Sequence, residues 1–214
     1  MAADAAQTDA YPVRFTVDAP DAPLDRVTSA FRLIVAIPIV ILLGTISGGS
    51  FTWTTNNGGQ AAAAAGGFLF LAPLLMILFR QKYPRWWFDW NLGLWRFTNR
   101  VMVYLALLRD EYPATDEDQA VHLEVDYPDV PRDLNRWLPL VKWFLAIPHY
   151  IVLFFLSIAA FFSVVFAWFA ILFTGRYPTG LFDFVVGVMR WHVRVQGYAF
   201  VLTTDRYPPF SLDA

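Results

Sequence analysis

The sequence predicts an all-α membrane protein of two pseudo-symmetric helical hairpins, four transmembrane helices in all. Two interfacial amphipathic helices and a small cytoplasmic β-sheet complete it. Three observations lead there. Leu33–Phe79 and Trp143–Phe173 contain no Asp, Glu, Lys or Arg. Polar residues outside these stretches recur at matching positions in the two halves. Apolar residues make up 57% of the chain and charged residues 16%, against roughly 45–50% and 25% in soluble domains. A charge at a helix centre in the bilayer costs roughly 2.5–3.5 kcal/mol on insertion scales. Stretches this long without one are what hydrocarbon accepts.

The repeat divides the chain into a tail over residues 1–12, a first copy over 13–113, a linker over 114–120 and a second copy over 121–214. The tail has no basic segment leading into an apolar one, so it does not read as a cleavable signal peptide, and the first transmembrane helix is expected to direct insertion. The copies open on VRFTVDAPDAP (Val13–Pro23) and VHLEVDYPDVP (Val121–Pro131). VRFTV and VHLEV alternate apolar and polar, the period of a half-buried strand. Segments near Val103–Leu108 and Ala199–Thr204 are the expected pairing partners. Both copies then pass Ala-Ile-Pro (Ala36–Pro38, Ala146–Pro148), a Tyr-Pro (Tyr83, Tyr177), the segments FDWNLGLWRFTNR and FDFVVGVMRWHVR, and a closing DEYP or DRYP. Six of the nine tyrosines precede a proline. The residue before proline is pushed out of the α region, so these pairs mark corners.

A spanning helix needs about 20 apolar residues. The first copy supplies Ser29–Ser47 and Ala61–Phe79, separated by the polar loop Gly48–Gly59. The second window, Trp137–Thr174, is read as two short spans by analogy, the other reading being one long tilted helix. The hairpin reading places all sixteen Lys and Arg on one side, which the positive-inside rule makes cytoplasmic. A single long second span would put Arg176, Arg190, Arg194 and Arg206 outside. Pro38 and Pro148 each remove a helix hydrogen bond, so kinks are expected there.

After each hairpin, Asp89, Gly93, Arg96 and Arg100 fall on one helical stripe, as do Asp183, Gly187, Arg190 and Arg194. With Trp86, Trp87 and Trp90 these helices suit the bilayer interface. Arg96, Arg100, Arg190 and Arg194 either bond within the chain or meet lipid headgroups or a partner's acidic surface. His149 is the one residue within the apolar windows that ordinarily titrates near neutral pH, a functional candidate by position, although its first-copy counterpart is Ile39. The chain has no cysteine. No phosphate loop, dinucleotide fingerprint, HExxH or GxSxG motif is present. The histidines lack metal-ligand spacing. Net charge of −2 gives no pull toward nucleic acid. No catalytic residue, metal or cofactor is expected.

VDYPDVP, LAIPH, GRYPTGLFDFVVGVMRW and LTTDRYPPFSL, spread over His122–Leu212, resemble the bacterial membrane family called domain of unknown function 4389. The first half resembles a diverged second copy, with KYPRWW where the other has RYPTGL. The resemblance implies a bacterial membrane location and carries no activity, cofactor or site residue.

The expectation is a non-enzymatic accessory or scaffold subunit in the bacterial cytoplasmic membrane, multi-pass with both termini cytoplasmic. Its partners would be the lipid bilayer and other membrane protein subunits. The alternative is a lipid-binding or lipid-transport protein holding phospholipid in a groove between the hairpins. An interfacial enzyme would have only Asp89 and Asp183 for acid–base work.

Overall fold

A computed structural model describes residues 11–46, 51–54, 60–63, 71–115 and 117–213. Strand β1 (Val13–Val17) is followed by three helical pieces, α1 (Arg26–Ala30), α2 (Arg32–Val35) and α3 (Ile37–Ile46). Strands β2 (Phe51–Thr54) and β3 (Gln60–Ala63) form an antiparallel hairpin. Then come α4 (Leu71–Leu75), a π turn over Met76–Arg80 and the long α5 (Arg85–Leu105). The second half runs β4 (Val121–Val125), α6 (Val130–Asp133), α7 (Lys142–Leu145), α8 (Ile147–Thr174) and α9 (Thr179–Gln196), with a π turn over Gly197–Val201.

The two alternating segments are strands, but they pair with each other. β1 and β4 are antiparallel, with Phe15 opposite Leu123 at the centre. Val13, Phe15, Val121 and Leu123 are buried, while Arg14, Thr16, His122 and Glu124 face outward. The expected partners are something else. Val103–Leu105 ends α5, and Gly197–Val201 prolongs α9 as a π turn. Their apolar residues continue the helical stripe above them, and helix hydrogen bonds win over a strand.

From Ile147 to Thr174 the second window is one continuous helix, which corrects the two-span reading. α8 has 28 residues and is about 42 Å long at ~1.5 Å per residue. Pro148 sits in its first turn, where a missing N–H costs nothing. No glycine or proline follows until Gly175, whose left-handed φ of 75° and bond to the Ile171 carbonyl close the helix. Among the described residues α8 is the one helix long and apolar enough to cross a membrane, so four spans are not seen. In the first half, Ala61–Ala63 lies in β3, so no helix starts at Ala61 as expected. Pairing with β2 overrides the helix preference of alanine. Most of the predicted polar loop, and Ala64–Phe70, lie outside the described residues.

Breaks in the helices precede both prolines. Ala36 (ψ −15°) separates α2 from α3, and Ala146 (ψ −6°) separates α7 from α8. The two amphipathic helices do not lie free on an interface. α9 runs back along α8, with Phe182 packed among Ala167 and Ile171, Ser157 3.4 Å from His192, and Trp143 bonded to the Ala199 carbonyl. Its other side packs on β1, while α5 packs on β4. The helix from each half therefore seats the strand of the other.

Backbone specials fall in matching places. Gln81 and Gly175 are left-handed two residues before a Tyr-Pro tyrosine, and Leu107 and Leu202 are left-handed three residues before the closing Asp. The two helix glycines differ. A Cβ on Gly187 would stand 2.9 Å from Leu212 Cβ and 3.1 Å from the Leu212 carbonyl oxygen, whereas one on Gly93 would meet nothing within 4 Å. Gly93→Ala is therefore expected to raise stability by about 0.5–1 kcal/mol. Gly187→Ala should lower it by displacing the C-terminal segment. Thermal unfolding of the two variants side by side checks both signs.

Candidate functional site

Ionisable side chains outside the apolar windows build two equivalent clusters where the chain enters each apolar helix. In the first, Arg32 is only 2% exposed. It forms an ion pair with Asp110 and donates to the carbonyls of Tyr104 (3.3 Å) and Arg109 (2.6 Å). Its guanidinium lies 4.2 Å from the Tyr104 ring centroid. Asp110 also accepts from the Asp25 backbone N–H at 2.7 Å. In the second, the fully buried Lys142 pairs with Asp205 at 2.7 Å and donates to the Thr204 carbonyl at 2.7 Å. Its ammonium lies 5.1 Å from the Tyr198 ring, and Asp205 accepts from the Asn135 N–H at 2.6 Å. Burial pulls the Lys142 ammonium below the ordinary lysine pKa, and the Asp205 hydrogen bond pulls back. A buried charge needs such a partner and added hydrogen bonds to persist.

Sequence reading missed these clusters. The signal was there: a base four residues before the Ala of each Ala-Ile-Pro, Arg32 and Lys142, recurs in both halves, as does the Asp of the closing motif.

The four stripe arginines all donate to backbone carbonyls. Arg96 Nε reaches the Leu123 carbonyl and Arg190 Nε the Phe15 carbonyl, each at 2.9 Å. Arg100 reaches Ala114 at 2.7 Å, and Arg194 reaches Asp213 at 2.7 Å and Ser211 at 3.4 Å. Arg190 also holds the Leu212 carbonyl at 2.8 Å. Burial lowers the pKa of both Arg190 and Arg194, and their mutual repulsion adds to the effect at Arg194. These four fasten extended chain to the sheet and helices. An open cleft of about 550 Å³ is lined by Arg190 and Arg194 and by Arg14, which is paired with Glu124 and Asp126.

Trp86 and Trp90 are exposed and Trp87 half-buried between them, with ring centroids 5.4 and 5.7 Å apart. His149 is fully buried. Its Nδ1 accepts from Trp191 Nε1 at 3.0 Å, its ring stacks on Phe210 at 4.0 Å, and Nε2 has no hydrogen-bond partner among the described residues. Ile39, its counterpart, is buried at the same place in the other half. Pro38 and Pro148 lie in the first turns of α3 and α8. Asp89 meets Arg85 loosely at 3.9 Å. Among the described residues no group of His, Asp or Glu could hold a metal ion.

A cavity of about 330 Å³ lies between α5, α8 and α9. Met102, Ala160, Val164 and Met189 supply apolar walls, and Asn99 and His192 add polar groups. Phe161, also lining it, is 65% exposed.

A family model described as Domain of unknown function (DUF4389) matches residues 137–211. The match is a single copy in the second half and does not support a tandem pair of family domains. No curated protein and no solved structure matches the chain.

The buried pairs give a direct expectation. Asp205→Ala strands Lys142 and should cost about 3–5 kcal/mol. Combining Lys142→Met with Asp205→Ala should recover at least half of that loss. A thermal or denaturant double-mutant cycle measures the coupling.

Proposed function

We propose that this chain is a non-enzymatic accessory or scaffold subunit held in the bacterial cytoplasmic membrane, with both termini on the cytoplasmic side. The observation that carries the reading is how the ionisable groups are used. Arg32, Lys142, Arg96, Arg100, Arg190 and Arg194 all serve internal contacts. What the protein offers outward is surface: a sheet face of exposed ion pairs on one side and the phenylalanines of α8 on the other. Such surfaces suit binding rather than turnover. The bilayer takes the apolar one, and another membrane protein subunit would take the polar face or the exposed Trp86 and Trp90.

The tandem architecture belongs to the same proposal. The matched left-handed residues, the two buried ion pairs and the two arginine-to-strand bonds support descent of both halves from one ancestral unit.

A second reading is lipid binding, favoured by the cavity between α5, α8 and α9, which has apolar walls, a few polar groups and a neighbour, Phe161, on the exposed apolar face. Gentle detergent extraction followed by size analysis and mass spectrometry separates the two. A stoichiometric co-purifying membrane protein is the expected result. A monomer carrying a retained phospholipid, lost in Met189→Trp, would favour the second reading.

A further inference from the structure

The direction of α8 relative to the bilayer follows from what is packed beside it. Leu153, Ala160, Val164, Ala167 and Ile171 form one stripe of α8 turned toward the protein. The opposite side is open, with Phe155, Phe162, Phe166 and Phe173 55–79% exposed. Because α9 is antiparallel to α8, with His192 beside Ser157, Arg190 stands abreast of the middle of α8. Arg190 in turn bonds to the Phe15 carbonyl at the centre of the sheet.

The outer face of that sheet is ionic. Arg14 pairs with Glu124 at 3.2 Å and Asp126 at 2.9 Å, and His122 contacts Asp18 at 3.0 Å. All five side chains are 42–66% exposed. Were α8 to cross the membrane upright, these groups would stand at mid-bilayer depth facing hydrocarbon. Intramembrane charges face a protein interior or water instead.

We infer that α8 does not cross the bilayer but lies along it, its phenylalanine face sunk in one leaflet and the β1/β4 sheet raised toward water. The inference rests on the membrane-bound reading proposed above. In this orientation the sheet stands two packing layers above α8, each about 10 Å, clear of the hydrocarbon. The amphipathic unit is then the α8/α9 pair with its sheet, and no single helix needs a charged face of its own. Basic residues flank α8 on both sides, Arg132, Arg136 and Lys142 before it and Arg176, Arg190 and Arg194 after it. That symmetry gives the positive-inside rule no reason to separate the two ends.

The absence of cysteine makes the test direct. Single substitutions Arg136→Cys, Arg176→Cys and Thr16→Cys, all at exposed positions, are made in the full chain and treated with an impermeant maleimide in sealed right-side-out and inverted membrane vesicles. All three are expected to label from the same side. Spin labels at Phe155→Cys, Phe162→Cys and Phe169→Cys, spaced along one stripe, should report depths equal to within a few Å. In an upright helix Phe162 would lie about 10 Å deeper than its neighbours, at ~1.5 Å per residue. Labelling of Arg136→Cys and Arg176→Cys from opposite sides, or a depth profile peaking at Phe162, overturns the in-plane inference and leaves the membrane reading standing. Loss of the wild-type chain from membranes in a simple salt wash overturns both.

Discussion

The pairing of β1 with β4 is the constraint on which the rest of the structure depends. A two-stranded ribbon is marginal alone, and this one is held from beneath by helices of opposite parentage. α9 from the second half seats β1 from the first, and α5 from the first half seats β4 from the second. Arg190 and Arg96 fix the two central carbonyls, of Phe15 and Leu123, at the same 2.9 Å. Phe15 and Leu123 face each other in the register, so a local twofold axis runs between them. Each half's strand is seated on the helix of the other half. The two halves therefore fold as one cooperative unit, and the linker between them only has to return the chain to the other edge of the ribbon.

The buried ion pairs extend this logic to the edges. Arg32 and Lys142 sit where the chain turns into an apolar helix, and Asp110 and Asp205 where the chain comes off α5 or α9. Each pair ties an entrance to an exit. The halves use different cations. Arg32 spreads its donors over Asp110 and two carbonyls, which the planar guanidinium allows. Lys142 concentrates a compact charge on Asp205 and one carbonyl. The tyrosine beneath each cation, Tyr104 or Tyr198, keeps water out of both.

Much of this was legible in the sequence, and the failures share a cause. The charge-free windows, the strands VRFTV and VHLEV and the helices after each Tyr-Pro could be read because composition and periodicity report what a residue's surroundings are. They do not report which surroundings. An apolar run of this length looks the same whether it is two short spans or the continuous α8, since nothing between Pro148 and Gly175 marks a turn. A helix with Trp on one side and Arg on another looks interfacial, yet α9 spends one side on α8 and the other on β1. The arginine stripe gave the correct face of the helix but not its partner, because a strand carbonyl and a lipid phosphate both attract a guanidinium. The buried pairs went unseen because Arg32 and Asp110 are separated by 78 residues, and Lys142 and Asp205 by 63.

The continuous helix also changes what the charge count means. While Trp137–Thr174 could be two spans, the positive-inside rule was satisfied by a hairpin that returned the chain to its starting side. One helix cannot return. On the membrane reading proposed above, either Arg176, Arg190, Arg194 and Arg206 lie across the membrane from the rest, or the helix never leaves its side. The packing favours the second, independently of any topology rule, because Arg190 is bonded to the same sheet that carries Arg14, Glu124 and Asp126. A body so joined cannot have its middle at the centre of a bilayer and its ionic face in water. Laying α8 in the leaflet satisfies the distribution of basic residues and the position of the sheet together.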